Sequence, residues 1–429
     1  MPVLPVPSSD VDLFCDATLR DPYPAYHVLR EKGPAVYLPA HQVWAVARHE
    51  VAERVLHDDA FASADGIALT DLANHTVLAG TVLASDGQAH RRLRRVLSAQ
   101  LAPRAVQLLT ADITARAERI VTAHLNNAAE ADGVVDAVAV AAEMVTGTVM
   151  DLMGLPKTTL PQLQAGAPAT FDLFGPANPR YQAALPIAAR MVEFLHTTVT
   201  RERVRPDSWM GAIFAAVDTG RLVETDAIPL ASAYTAASMD TTVLGLADTI
   251  GQLARHPTAW ARLRTAPTAW ATPAFDESLR LEAPIQGFGR RATTDVDLDG
   301  VRIRAGDQVW VLYGAAGRDP RRWGPTADAY DPARPNPGGH LAFGTGPHLC
   351  AGIPLARLQA HAVLTALARH AHHLDPAGPG ERLLNHTLRG YRTLPVRARP
   401  APPGRTAPAD ATPPPQTAGP APATAQDTL

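Results

Sequence analysis

The segment from Thr225 to Arg255 limits the fold more than any other part of the sequence. It reads as one helix that proline stops only at His256-Pro257. Thr225 is a good N-cap, and Asp226 suits the positive end of the helix dipole. About 30 residues at 1.5 Å each give roughly 45 Å, enough to cross a whole domain. The middle, Ala233 to Leu246, is small and apolar, which marks a core helix. Tyr234, Thr235 and the run Ser238-Met239-Asp240-Thr241-Thr242 interrupt it. An acid and several hydroxyls at the centre of a core helix are unusual. The bland account has the hydroxyls bonding back to helix carbonyls and the acid at the surface.

Around this helix the chain reads as Ala/Leu/Arg-rich helices with few strands. Val43–Ala47 and Gln308–Leu312 are β-branched and aromatic runs between breakers. Val296–Ile303 alternates like a hairpin about Asp299-Gly300. So few strands exclude a doubly wound sheet and predict one large, mainly α domain with a minor β part, over residues 1–399. Residues 400–429 are Pro/Ala/Thr-rich and nearly lack large apolar side chains, so a disordered tail is expected. A net charge of −3 argues against a nucleic-acid binder. No apolar run reaches the roughly 18 residues of a membrane span, and no secretory signal is visible. Cys15 and Cys350 are the only cysteines, which excludes a disulfide framework and fits a reducing cytoplasm. Nothing demands more than a monomer.

Cys350 lies in His340-Leu341-Ala342-Phe343-Gly344-Thr345-Gly346-Pro347-His348-Leu349-Cys350-Ala351-Gly352, just before a helix candidate from Pro354 to His370. A helix N-terminus favours the thiolate, the metal-ligating form. A lone thiolate suits haem iron, whereas zinc wants four ligands. An inert buried cysteine would not explain Phe343, three glycines and His348 at these spacings.

This loop resembles that of the cytochrome P450 family, Phe-Gly-x-Gly-x-His-x-Cys-x-Gly, at every fixed position. Glu277-Ser278-Leu279-Arg280 resembles the family's Glu-x-x-Arg helix, and Tyr330–Arg334 the segment whose arginine completes that network. Gly317 departs from the family, which often has Asn there. The resemblance implies the P450 fold, haem b with Cys350 as axial iron ligand, and Phe343 packed beside it. It implies His90, Arg94, Arg290 and His348 as partners of the anionic haem propionates. Ala237, Asp240 and Thr241 resemble the family's oxygen-activation motif, with Ser238 in place of its glycine. Oxygen activation needs protons delivered without flooding the site, and an acid–alcohol pair beside a local helix distortion relays them. Asp240 and Thr241 are therefore the expected catalytic residues.

The activity implied is that of a monooxygenase: one atom of O2 enters an organic substrate and the other becomes water. No flavin or nicotinamide module is visible. The fingerprint-like Gly287-Phe288-Gly289-Arg290-Arg291-Ala292 runs into a turn, not a helix. Electrons are thus expected from a separate ferredoxin-type donor and its reductase. An acidic donor would dock on the face carrying Arg91, Arg92 and Arg95, with Arg104 and Arg357 near by in the family's arrangement. Two alternatives remain: a peroxide-using or rearranging enzyme of the same fold, and a haem-binding sensor. The acid–alcohol pair argues against both. By resemblance the pocket draws on the loop from Gly66 to Val82, on Phe171 and Phe174, and on Ala233, Ala236, Ala237 and Ser238. It also draws on Ile285, Gln286 and Phe288 and on the turn near Leu388. The segments at 171–178 and 238–242 look similar to members that oxidise small aromatic acids. Yet no Lys or Arg occurs between Phe61 and Ala89, so a cationic clamp is absent there, leaving Ser238, Gln286 and Thr70 as polar contacts. A compact, largely apolar substrate is expected, an aromatic ring with one polar substituent, hydroxylated or O-demethylated. His370, His372 and His373 read as exposed histidines rather than a metal site, and Asn74-His75-Thr76 and Asn385-His386-Thr387 as chance glycosylation patterns.

Overall fold

A computed structural model describes residues 6–129, 132–156 and 160–400. The proline-rich tail expected from residue 400 lies, from residue 401, outside the described residues. Eight helices position the site: α1 (Gly87–Leu101), α2 (Thr110–Ala129), α3 (Ala137–Met153), α4 (Leu160–Asp172), α5 (Pro179–Thr198), α6 (Ala227–Arg255), α7 (Pro267–Leu281) and α8 (Ile353–His370). The long apolar segment is indeed one helix, α6, entered through a 3₁₀ turn over Glu224–Asp226. Its start differs from the Thr225 cap expected. Asp226 takes that place, accepting the Val223 N–H at 2.9 Å and pairing with Arg92. A longer carboxylate side chain reaches both partners where a threonine hydroxyl cannot.

The main sheet joins β1 (Val36–Leu38), β2 (Val43–Val46), β3 (Phe61–Ala62), β4 (Gly287–Ala292) and β5 (Gln308–Leu312) in the order β1-β2-β5-β4-β3. β2 and β5 pair in parallel, Trp44 opposite Val309, and the other pairs are antiparallel. The hairpin about Asp299-Gly300 forms as expected, with both residues at positive φ.

Two apolar cores result. One is helical, built from α2, α3, α6, α7 and α8; the other lies between the sheet and the segment around Phe171 and Phe174. α6 feeds both, since Val243 belongs to the first and Leu244 to the second. Beneath them Glu277 binds Arg280 at 2.8 Å and Arg334 at 3.1 Å, with Glu277 and Arg280 fully buried. Arg280 further donates to the Ala327 and Ala329 carbonyls, tying α7 to the irregular segment before the cysteine.

Candidate active site

The cysteine loop is shaped by its own backbone. The Cys350 N–H donates to the Phe343 carbonyl at 2.9 Å, closing the loop on itself. Gly346 sits at φ +68°, and a Cβ there would lie 2.6 Å from the Leu56 carbonyl, so only glycine fits. Cys350 stands three residues before α8 and its Sγ accepts the Gly352 N–H at 3.3 Å. Its exposed surface faces a cavity of about 290 Å³. Burial pushes the thiol up, against the Gly352 and Ile353 N–H groups and Arg94, which pull it down. The helix terminus and the desolvation of the sulfur thus pull the thiol in opposite directions.

Beside the sulfur are cationic and imidazole groups from three elements. Arg94 of α1 donates to the Leu349 carbonyl. His90, one turn earlier, is buried and its Nε2 has no partner. Its ring lies 4.3 Å from that of His348, and burial with the His348 and Arg94 charges lowers its pKa to about 4. His348 Nε2 meets Asp86 Oδ1 at 3.2 Å. Arg290 is buried on β4, where it donates to its neighbour's carbonyl at Gly289 and to Tyr313. Arg94, Arg290, His348 and Phe343 line the cavity with Cys350, among Leu97, Phe275, Leu279 and Leu355. One sulfur, two guanidiniums, an orphaned imidazole and apolar walls fit haem b, a flat apolar macrocycle with an anionic edge.

Across the cavity runs α6. Ala233, Ala236, Ala237, Ser238 and Thr241 line it. The Thr241 hydroxyl donates to the Ala237 carbonyl at 2.7 Å and Ser238 to that of Tyr234. Asp240 is outside the lining. Its Oδ2 is shut off from solvent without a partner, and burial pushes its pKa up to about 7. The helix is continuous through this stretch, so the local distortion expected beside the pair is not there. Both hydroxyls bond back to carbonyls one turn earlier and leave the helical ladder intact.

The remaining wall is aromatic. Phe171, Phe174 and Phe288 form a chain of edge contacts at 5.5 and 5.8 Å, continued to Tyr313 at 6.1 Å. All four rings and Ile285 line the cavity. Gln286 and Leu388 do not, which corrects two expected pocket residues. The residue after Ile285 points the opposite way along extended backbone. There Gln286 accepts from the Tyr26 hydroxyl at 3.0 Å and donates to Ala283. Leu388 bridges the Ile285 backbone and turns its side chain to a separate pocket of about 20 Å³, which Gln286 shares. Thr70 is spent on Tyr181 at 3.2 Å. Several lining residues lie outside the sequence reading, Leu97, Ser232, Tyr313 and Gln359 among them. The first two lay within reach, since Leu97 follows Arg94 by three residues and Ser232 precedes Ala236 by four, each on one helix face.

The basic face is smaller than expected. Arg92 is held by Asp226, and Arg357 by buried Asp276 through two bonds of 3.0 and 2.9 Å. Arg91, Arg95 and Arg104 are exposed. Among the described residues no helix is long and apolar enough to cross a membrane.

A cytochrome P450 family model matches residues 271–387. The chain is similar to cytochrome P450 CYP199A2 of Rhodopseudomonas palustris, 37% identical over 400 residues, covering 92% of this chain and 95% of that protein. It is also similar to the cytochrome P450 monooxygenase PikC of Streptomyces venezuelae, 33% identical over 392 residues, covering 88% and 91%. Among solved structures, that of CalO2 superposes with a TM-score of 0.78 at 27% identity, covering 91% of this chain and 99% of the other. At that identity across nearly its whole length, the protein belongs to the cytochrome P450 family, the haem-iron monooxygenases.

Proposed function

We propose that the protein hydroxylates or O-demethylates a compact, largely apolar substrate, an aromatic ring with one polar substituent. It would act as a cytoplasmic monomer, with electrons from a ferredoxin-type donor and its reductase. Haem b, ligated by Cys350 and held at its propionates by Arg94, Arg290, His348 and His90, supplies oxygen binding and O–O cleavage when bound. One observation carries the substrate class. The charged side chains lining the cavity are Arg94, Arg290 and His348, all allotted to the cofactor. What is left is mostly apolar, with serine, threonine and tyrosine hydroxyls and the Gln359 amide as its uncharged polar groups. A carboxylate deep in this cavity would find no cation to offset its desolvation.

Thr241 presents its hydroxyl at the cavity wall, and the pKa of Asp240, one residue earlier, is pushed up by burial to about 7. An acid with a pKa of about 7 both takes and gives a proton at working pH. Asp240 would hold a proton behind the wall, and Thr241 would hand it on into the cavity. A peroxide-driven or rearranging enzyme needs no such pair.

Spin-state titration of the haem-loaded protein tests the substrate class. Substituted phenols and aryl ethers should shift the haem spin state at micromolar to millimolar concentration, and the matching benzoates should do so much more weakly. A response confined to macrolides or long-chain fatty acids would refute it.

A further inference from the structure

Asn385-His386-Thr387 looks like a chance glycosylation pattern in sequence, yet all three residues are buried and all three face the end of α4. The Thr387 hydroxyl donates to the Phe171 carbonyl at 2.8 Å. Asn385 Nδ2 donates to the Pro168 carbonyl at 2.9 Å. His386 uses its backbone N–H for Asp172 Oδ1 at 2.9 Å and its Nδ1 for the Asp172 carbonyl at 2.6 Å. Phe171 and Asp172 are among the last carbonyls of the helix, which have no donor within it; Phe171 also accepts from the Phe174 N–H of the following turn at 3.3 Å, and Pro168 lies one turn further back. The donor that would serve Asp172 in a longer helix belongs to residue 176, a proline with no N–H. The triplet is itself fixed: Asn385 Oδ1 accepts from the Thr387 and Leu388 N–H groups, and the Thr387 carbonyl accepts from Gln286 N–H. It therefore joins the wall at Ile285 and Phe288 to the roof at Phe171 and Phe174.

We propose that Asn385-His386-Thr387 is a positioning clamp that caps α4, fixes Phe171 and Phe174 over the cavity and so sets the size of molecule admitted. The clamp acts through the phenylalanines and touches no substrate. It applies whichever substrate the cavity takes, because its test uses azoles that bind haem iron directly.

The variant is Thr387→Val, which keeps shape and loses the donor. A hydrogen bond of this kind is equivalent to up to about tenfold in an equilibrium. In the haem-loaded protein, amide exchange over residues 168–176 should quicken by about tenfold. The ratio of Kd for 4-phenylimidazole to Kd for the bulkier econazole should rise by about the same factor. Thr387→Ser should restore both. If Thr387→Val does not load haem, Asn385→Asp carries the test, since it keeps the acceptor and loses the donor to Pro168. Wild-type exchange at 168–176, an unchanged azole ratio, or exchange quickened equally over Thr110–Ala129 would each overturn the clamp.

Discussion

Three side chains carry the proposed chemistry, Cys350, Asp240 and Thr241, and each makes a measurable prediction. Cys350→His should abolish the red-shifted Soret band of the reduced, carbon-monoxide-bound protein, because that band reports thiolate ligation. Retention of the band in this variant would remove Cys350 as ligand. Asp240 predicts a pH effect on stability. Its pKa of about 7 lies above the unfolded value of about 3.9, so the folded state holds the proton more tightly. Stability from this group is full below about pH 4 and lost as pH rises through about 7, by up to about 4 kcal/mol. Asp240→Asn should therefore melt a few degrees above the parent at pH 8, with the gap closing towards pH 4. Equal melting temperatures at pH 8 would place this carboxylate in water. Thr241→Ala should keep haem and divert electrons into hydrogen peroxide, read as peroxide formed per NADH consumed. Much of this was legible in sequence. The cysteine loop is contiguous, and Asp240-Thr241 sits in a helix whose length and apolar flanks show in the one-dimensional pattern. Gln286 turns away from the cavity because one residue along extended backbone reverses the side chain, a reversal that sequence does not show there. The Asn385 triplet carries no signal in sequence because its partners, Pro168 to Asp172, lie more than 200 residues away.

Helices and loops set the limits on those side chains. Arg92 and Asp226 tie α1, which carries His90 and Arg94, to the first turn of α6. Arg92→Glu should thus cost roughly 1–3 kcal/mol of stability and lower the melting temperature, through two acids facing each other at a helix start. Charge reversal at exposed Arg95 is the cleaner probe of donor docking. It should slow reduction by a ferredoxin at low salt, with the difference fading at high salt, followed by stopped-flow absorbance. Gly317 illustrates how far local packing departs from sequence pattern. A Cβ on it would lie 2.0 Å from the Arg280 carbonyl. Gly317→Asn, which restores the residue common in the family, should therefore destabilise the protein by about 1–3 kcal/mol in urea titration. The strand runs at Val43 and Gln308 were readable from β-branched content, but nothing local says that they pair, or in parallel. The π-helical turn at Ala73–Val77 had no signal at all, since it is held by tertiary contacts such as Asn74 with Ala68 and Asp65.

At the scale of the whole molecule, the two cores meet on α6 at Val243 and Leu244, so Asp240-Thr241 lies beside their seam. Glu277→Gln should loosen both. It leaves Arg280 and Arg334 buried without a counter-charge, a loss of about 3–5 kcal/mol, visible as lower haem occupancy and a lower melting temperature. The sheet order bears on how the protein is made. β1, β2 and β3 leave the ribosome within the first 62 residues, while β4 and β5, which pair with β2 and β3, begin at Gly287 and Gln308. At about 5–20 residues per second the early strands wait on the order of 10–50 s for their neighbours. During synthesis Val43–Val46, buried in the finished sheet, offers its open edge to any other nascent chain. Slower initiation or a cooler culture, which spaces the ribosomes on each message, should raise the soluble yield more than any change at the active site.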